Sequence, residues 1–234
     1  LKALDAEAMK RRAAEAALAE VHSGMVLGLG TGSTVAHLLD LLGAALASGS
    51  LRDIVAVPTS VRTAQHAERL AIPLVGLADR PRIDLTIDGA DEVSPALDLI
   101  KGAGGALLRE KMVAQASEQV LIIADERKMV PRLGSLCPLP VEVVSWGWQA
   151  HVAFLAGWGG EAVLRTGADG RPAASDNGQL FLDCRFASGI EDPEGLERAL
   201  ASRAGVVETG LFLGLAQAAL IASARGVARM ERAG

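Results

Sequence analysis

The chain has 234 residues, of which 50% are hydrophobic and 22% charged, with a formal net charge of -5. This composition excludes a disordered chain, and the acidic balance leaves no basic footprint for nucleic acid. The length suits one large domain or two small ones.

Residues 5–20 place Ala8, Met9, Ala13, Ala16, Ala17 and Leu18 at helical spacing, with Lys10, Arg11 and Arg12 between them. This predicts an amphipathic helix, stopped by Gly24. The apolar run 25–29 predicts a buried strand. It leads into Gly30-Thr31-Gly32-Ser33-Thr34 and a helix over 35–47. A Gly/Ser/Thr turn between strand and helix offers backbone N–H groups, hydroxyls and a helix N-terminus to an anion. No Gly-Lys-Ser/Thr follows, so it is not a Walker A loop, and Ser33 stands where a dinucleotide loop needs its third glycine. A small-phosphate loop and a plain tight turn both fit.

Residues 54–57 predict a second strand. Pro58-Thr59-Ser60 then turns into a helix with Val61, Ala64, Ala67 and Leu70 on one face. The run 72–75 predicts a short strand, placed at an edge by Pro73. Leu85-Thr86-Ile87 predicts a buried strand that ends on Asp88-Gly89-Ala90-Asp91-Glu92, three carboxylates within five residues. Lys101 opens the turn Gly102-Ala103-Gly104-Gly105, and a helix over 106–116 carries Arg109, Glu110 and Lys111. The apolar run 120–124 predicts another strand, ending on Asp125-Glu126-Arg127-Lys128. Strands and helices in this alternation imply a parallel sheet covered on both faces.

The pattern changes at Pro131, and Pro138 and Pro140 mark a linker. Beyond it the reading is strand 141–144, helix 146–156, strand 161–166, strand 179–186, helix 193–202 and strand 206–212. That βαββαβ order is the ferredoxin-like unit, with a polar hairpin loop at 167–178. The apolar segment 215–224 is expected to pack back on the first domain. The expected architecture is α/β: a Rossmann-like parallel-sheet domain (1–137 with 208–234) and an inserted ferredoxin-like α+β lid domain (138–207).

Cys137 and Cys184 stand far apart without a CxxC pair, which reads as reduced thiols in a cytoplasmic protein. The uncharged stretches 21–39 and 209–224 do not read as membrane spans, and the charged N-terminal end has no signal-peptide apolar core. His22, His37, His66 and His151 show no paired ligand spacing, so no metal site is expected.

The chemistry concentrates in 84–111. Ligands of open α/β sheets bind beyond the carboxyl ends of the strands, and here acids, a lysine and glycines share one βα crossover. The bland alternative takes the carboxylates as solvated loop residues or caps, and Arg109-Glu110-Lys111 as a wet helical face.

Seven segments together resemble ribose-5-phosphate isomerase of the A type. They are GLGTGSTVAHLL (28–39), TIDGADEV (86–93), KGAGGALLREK (101–111), DERK (125–128), PLPVEV (138–143), DNGQLFLD (176–183) and GVVETGLF (205–212). They occur in the family's order and cover nearly the whole chain. The resemblance implies interconversion of D-ribose 5-phosphate and D-ribulose 5-phosphate through a cis-enediolate, without metal or other cofactor. It puts the catalytic base at Glu110 and further catalytic groups at Asp88, Asp91 and Lys101. It puts substrate contacts at Gly89, Ala90, Gly102, Ala103 and Gly104, and phosphate contacts at Thr31, Gly32, Ser33, Thr34, Lys128 and Lys10. It implies a homodimer or homotetramer. Departures from the family pattern fall at Arg127, Thr209, Ala103 and Gln179, outside the catalytic set. A sugar-phosphate sensor of the same fold is the alternative function.

Overall fold

The computed structural model describes residues 6–233. Asp5, first residue of the expected N-terminal helix, lies outside them. In chain order the elements are α1 (Ala6–Leu18), β1 (Val26–Leu29), α2 (Ser33–Ala47), β2 (Val55–Pro58), α3 (Val61–Arg69) and β3 (Ile83–Asp88). There follow β4 (Glu92–Val93), β5 (Leu99–Ile100), α4 (Leu107–Gln115), β6 (Ser117–Asp125) and β7 (Leu139–Val143). The rest are α5 (Gln149–Gly157), β8 (Gly160–Leu164), β9 (Leu180–Phe186), α6 (Pro193–Ala201) and β10 (Val206–Thr209), then β11 (Leu211–Phe212), β12 (Ala218–Ser223) and β13 (Gly226–Glu231). They pack as two compact units. The first holds the described residues up to Ala90, Arg109–Arg127 and Gly214 onward; the second holds Asp91–Leu108 and Lys128–Leu213.

The first unit is built on a six-stranded sheet in the order β13-β12-β6-β3-β1-β2. All neighbours are parallel except β13, which pairs antiparallel with β12. Parallel strands covered on both faces need apolar residues in succession rather than in alternation. The run Val120, Leu121, Ile122, Ile123 and Ala124 of β6 is accordingly buried throughout, while β1 and β3 bury Leu27, Leu29, Leu85 and Ile87 with Gly28 and Thr86 between them. Helix α1 brings Met9, Ala13, Ala14 and Ala17 into one core with Val35, Leu38, Leu39 and Leu42 of α2. Each such leucine contributes about 1.5–3 kcal/mol by leaving water.

One stretch falls short of the sequence reading, and one returns to the first unit as expected but adds a strand. The run around Pro73 makes only a single bridge, Leu74 to Ala56 at the β2 edge, because proline cannot donate to a ladder. The apolar 215–224 segment supplies β12, an interior strand, and an unexpected edge strand β13 follows it with exposed Arg229 and Glu231. Charges of this kind blunt a sheet edge. No helix among the described residues is long and apolar enough to cross a membrane.

The second unit has a four-stranded sheet in the order β10-β7-β9-β8, antiparallel throughout, with α5 and α6 as its crossovers. This is the ferredoxin-like arrangement. Val141, Val143, Leu155, Leu182, Cys184, Leu196 and Leu200 form its core. A second, three-stranded antiparallel sheet runs β11-β5-β4. It escapes periodicity analysis because its strands are two residues long. It also divides the expected strand 206–212 at Gly210: β10 pairs with β7, and β11 pairs with β5. A Cβ at Gly210 would lie 2.3 Å from the Lys101 carbonyl oxygen, so only glycine lets the chain cross there.

Candidate active site

Candidate residues fall on both units, and each group has its own framework. In the first unit, β1, β3 and β6 run parallel, so their carboxyl ends share one sheet edge. β1 ends at Leu29, β3 at Asp88 and β6 at Asp125. The Gly30 N–H donates to the Ile87 carbonyl at 3.0 Å, which draws the 30–34 turn onto β3. A Cβ on Gly30 would fall 2.0 Å from Asp88 Oδ1, so the approach requires glycine. Asp88 is 2% exposed, and its Oδ1 accepts the N–H groups of Thr31 (3.1 Å) and Gly89 (2.7 Å). A buried carboxylate is tolerated because such donors replace its water. Ala90 follows Gly89 half-buried.

The side chain of Thr31 points inward. Its hydroxyl lies 2.8 Å from Thr59 Oγ1, 2.8 Å from Ser60 Oγ and 3.1 Å from Thr63 Oγ1, all four side chains buried. Thr59 also donates to the Leu29 carbonyl (3.1 Å) and Thr63 to the Gly30 carbonyl (2.8 Å), while Ser60 caps α3 by accepting the Thr63 N–H. The start of α3 thus supports the 30–34 turn from beneath, a role the sequence reading missed. The signal was there in Thr59-Ser60 and Thr63: hydroxyl residues at a helix start serve as caps and find backbone partners. Gly32 precedes α2 at φ 138° without a side-chain cap. Ser33 is exposed and Thr34 half-buried at the helix start. The fifteen-residue α2 therefore opens with N–H groups and the positive end of its dipole.

Lys10 of α1 lies 2.6 Å from Glu7, whose other oxygen lies 3.0 Å from His37 Nε2 of α2. Lys10 and His37 hold the Glu7 carboxyl below its usual value. Glu110 sits in the first turn of α4 at 3% exposure, with Lys111 beside it at 4%. The wet-face reading of this helix start therefore fails for both. Asp125 is buried at the end of β6 and takes a bidentate grip from Arg127, at 2.7 and 2.9 Å.

In the second unit, the Asp91 N–H donates to the Ile100 carbonyl (2.8 Å), and Asp91 Oδ2 accepts the N–H of Ala103 (2.9 Å). Lys101 follows β5 and is 3% exposed; its N–H donates to Gly210 and its Nζ stands 5.5 Å from the Phe212 ring centroid. Gly102 is buried, while Ala103 and Gly104 are exposed at the tip of the turn. Lys128 is half-buried in the short 3₁₀ turn Glu126–Lys128. Glu92, third acid of the cluster, has a separate task. It is fully buried and accepts the N–H groups of Gly134 (2.6 Å), Leu136 (2.5 Å) and Cys137 (2.7 Å), pinning the 134–137 loop. Burial, reinforced by the charges of Glu92 and Asp91, raises the Cys137 thiol far above its ordinary value and keeps it protonated. Cys137 and Cys184 are both free thiols.

The histidines are placed structurally: His37 on Glu7, His66 on Asp40 (2.8 Å), His151 on Arg203 (3.0 Å). No group of three or more His, Cys, Asp or Glu among the described residues could hold a metal ion.

Comparison with known proteins adds independent findings. The family model for ribose 5-phosphate isomerase A (phosphoriboisomerase A) matches residues 55–226. The chain is 50% identical over 228 residues to ribose-5-phosphate isomerase A of Roseiflexus castenholzii, covering 97% of each chain. It is 51% identical over 221 residues to that of Chloroflexus aurantiacus, covering 94% of this chain and 92% of the relative. A solved D-ribose-5-phosphate isomerase in complex with phospho-erythronic acid superposes with a TM-score of 0.95 at 39% identity, covering 98% of this chain and all of the other.

Proposed function

Since the chain belongs to the ribose 5-phosphate isomerase A family, we propose that it interconverts D-ribose 5-phosphate and D-ribulose 5-phosphate. One observation in the molecule carries this reading. Asp88, Lys101 and Glu110, all from one strand–turn–helix crossover, are 2%, 3% and 3% exposed. Solvated loop acids and wet-face helix residues would stand in water; ionisable groups held out of it are characteristic of a reaction site.

Each residue then has a role. Aldose–ketose isomerisation moves a proton between C1 and C2 while the carbonyl shifts by one carbon. Glu110 takes the proton from one carbon and returns it to the other through a cis-enediolate. Lys101 and the N–H groups of Gly102 and Gly104 offset the charge that develops on the carbonyl oxygen, while the Ala103 N–H holds Asp91 beside it. Asp88 and Asp91, with Gly89 and Ala90 between them, hold the sugar hydroxyls and relay the O1/O2 proton. The 30–34 turn (Thr31, Gly32, Ser33, Thr34), Lys128 and Lys10 bind the phosphate. Thr31 contributes through its backbone position, since its hydroxyl is committed to the buried cluster. The phosphate lies away from the reacting carbons, so its binding energy serves positioning. A phosphorylated sugar acid such as phospho-erythronic acid joins a phosphate to a planar carboxylate, which mimics the enediolate in shape and charge.

The proposal extends to a cytoplasmic location, supported by the free thiols, and to a homodimer or homotetramer, supported by the prevalence of closed symmetry among soluble oligomers. The activity is tested by following ribulose 5-phosphate formation from ribose 5-phosphate with EDTA present. Full turnover in chelator is expected. No turnover, or turnover only after a divalent metal is added, would reject the reading.

A further inference from the structure

The sequence segment 176–183 contains Asp183, a motif residue to which the proposed chemistry assigns no task. In the second unit Asp183 holds Arg165 by a fork: Arg165 Nε reaches Asp183 Oδ2 at 2.9 Å and Nη2 reaches Oδ1 at 2.5 Å. The guanidinium carbon lies 4.6 Å from the Phe181 ring centroid. The backbone of Arg165 is fixed as well, its N–H on the Phe181 carbonyl and its carbonyl on the Ala173 N–H, both at 2.9 Å. Arg165 and Asp183 are 17% and 21% exposed. A planar guanidinium held on one edge and one face can point its remaining nitrogen in only one direction.

That nitrogen, Nη1, donates to the carbonyl of Gly102 at 3.0 Å and leans toward that of Ala103 at 3.4 Å. Among the described residues every peptide bond is trans, and a trans peptide is planar, so the Gly102 carbonyl and the Ala103 N–H point in opposite directions. The Ala103 N–H donates to Asp91 Oδ2 at 2.9 Å. One peptide unit therefore has Arg165 on one end and the Asp91 carboxylate on the other. Asp183 neutralises the guanidinium, so what Arg165 transmits is orientation rather than net charge.

We infer that Arg165, braced by Asp183 and Phe181, is a positioning residue that fixes the Asp91 carboxylate through the Gly102–Ala103 peptide. The inference rests on the proposed isomerase chemistry, in which Asp91 and this turn meet the substrate. It assigns the ferredoxin-like sheet a part in turnover, through a side chain of its β8–β9 connection. Arg165→Lys keeps the charge and loses the fork, so it should resemble Arg165→Ala instead of wild type.

The test is a kinetic series with wild type, Arg165→Ala, Arg165→Lys, Asp183→Asn, Asp91→Asn and the double variant Arg165→Ala/Asp91→Asn. Misplacing a reacting group by about 1 Å costs up to about 10²-fold, so kcat of Arg165→Ala should fall about 10- to 100-fold with KM within about threefold. Methylguanidinium should restore part of that kcat. Asp183→Asn should fall less and in the same sense. On the Asp91→Asn background the Arg165→Ala loss should shrink to within about threefold, because residues acting as a unit are not additive. If Arg165→Ala fails to fold, Asp183→Asn and Arg165→Lys carry the same comparison. Normal kcat in a variant with lowered Tm, or a full multiplicative loss on Asp91→Asn, overturns the positioning role and leaves the isomerase reading intact. A wild-type protein without isomerase activity overturns both.

Discussion

The turn at 30–34 rests on a bed of hydroxyls with one carboxylate, Asp88, at its side, and the turn at 102–105 is held by charges. Both are glycine-rich and both open onto a helix. Beneath the first, Thr31, Thr59, Ser60 and Thr63 form a buried neutral cluster, and α2 starts without a side-chain cap. Around the second, Arg165 grips the carbonyl of Gly102, Asp91 takes the N–H of Ala103, and Lys101 stands buried at its entrance. The difference matches the two tasks proposed for these turns. A permanent phosphate charge needs a rigid array of donors, which a largely neutral scaffold suits. Charge that appears only during reaction needs acid and base groups already set around it. Damage to the first turn should therefore appear in KM, and damage to the second in kcat.

Between the two turns, the larger effect should come from the charged one. Lys101→Met removes the donor proposed to face the oxyanion, so kcat should fall about 10²- to 10³-fold with little change in KM. Steady-state kinetics checks this, and a KM effect without a kcat effect would erase the distinction between the turns. Lys128→Ala removes a charge-assisted contact common to ground and transition states, worth about 1.5–3 kcal/mol, so KM should rise tenfold or more with kcat nearly unchanged. An unchanged KM would remove Lys128 from the phosphate contacts.

Thr63→Val tests the neutral scaffold. It keeps the shape but withdraws the donor from the Gly30 carbonyl and from the hydroxyl cluster, at a cost of about 1–3 kcal/mol of stability. Denaturant unfolding should register that loss, KM should rise a few-fold, and Thr63→Ser should recover both. A loss of kcat instead would mean that this turn also takes part in the chemistry.

The smallest effect lies away from both turns and serves as a control. Burial, and then the nearby Arg203 charge, lowers the His151 pKa, so the ring is neutral and Nδ1 accepts from Arg203. The unfolded chain binds the extra proton below the ordinary value of 6.5. The stability from neutral His151 is thus fully present above that pH and is lost as pH falls toward the folded value. The acid-side decline of Tm should flatten in His151→Asn. An unchanged slope would assign the decline to other groups.

Much of this molecule was legible in the sequence, and the illegible parts have physical reasons. The continuous apolar run 120–124 marked β6, because a strand covered on both faces leaves no polar alternation to read, whereas β3 alternates Ile83, Leu85 and Ile87 with Asp84, Thr86 and Asp88. The βαββαβ order emerged because its strands and helices are long enough to show a period. The β4–β5 pair did not, since two-residue strands have no period. Asp88, Asp91 and Glu92 look alike along the chain, yet Glu92 pins the 134–137 loop from more than forty residues away. Likewise, nothing local to Arg165 announces that its guanidinium meets a carbonyl 63 residues earlier. Pattern finds elements and catalytic types; the supports that aim them come from distant chain.

Everything proposed for the reaction turns on Glu110 carrying the proton between C1 and C2. The direct measurement is Glu110→Gln assayed in deuterated water, following both isomerisation and deuterium entry at C1 of ribulose 5-phosphate. Glutamine keeps the shape and removes the basic lone pair, so kcat should fall about 10²- to 10⁴-fold, the usual worth of general acid–base catalysis. Deuterium incorporation should fall in step, while affinity for phospho-erythronic acid holds. A variant that isomerises and exchanges within a few-fold of wild type would contradict the account and pass the role of base to Asp88 or Asp91.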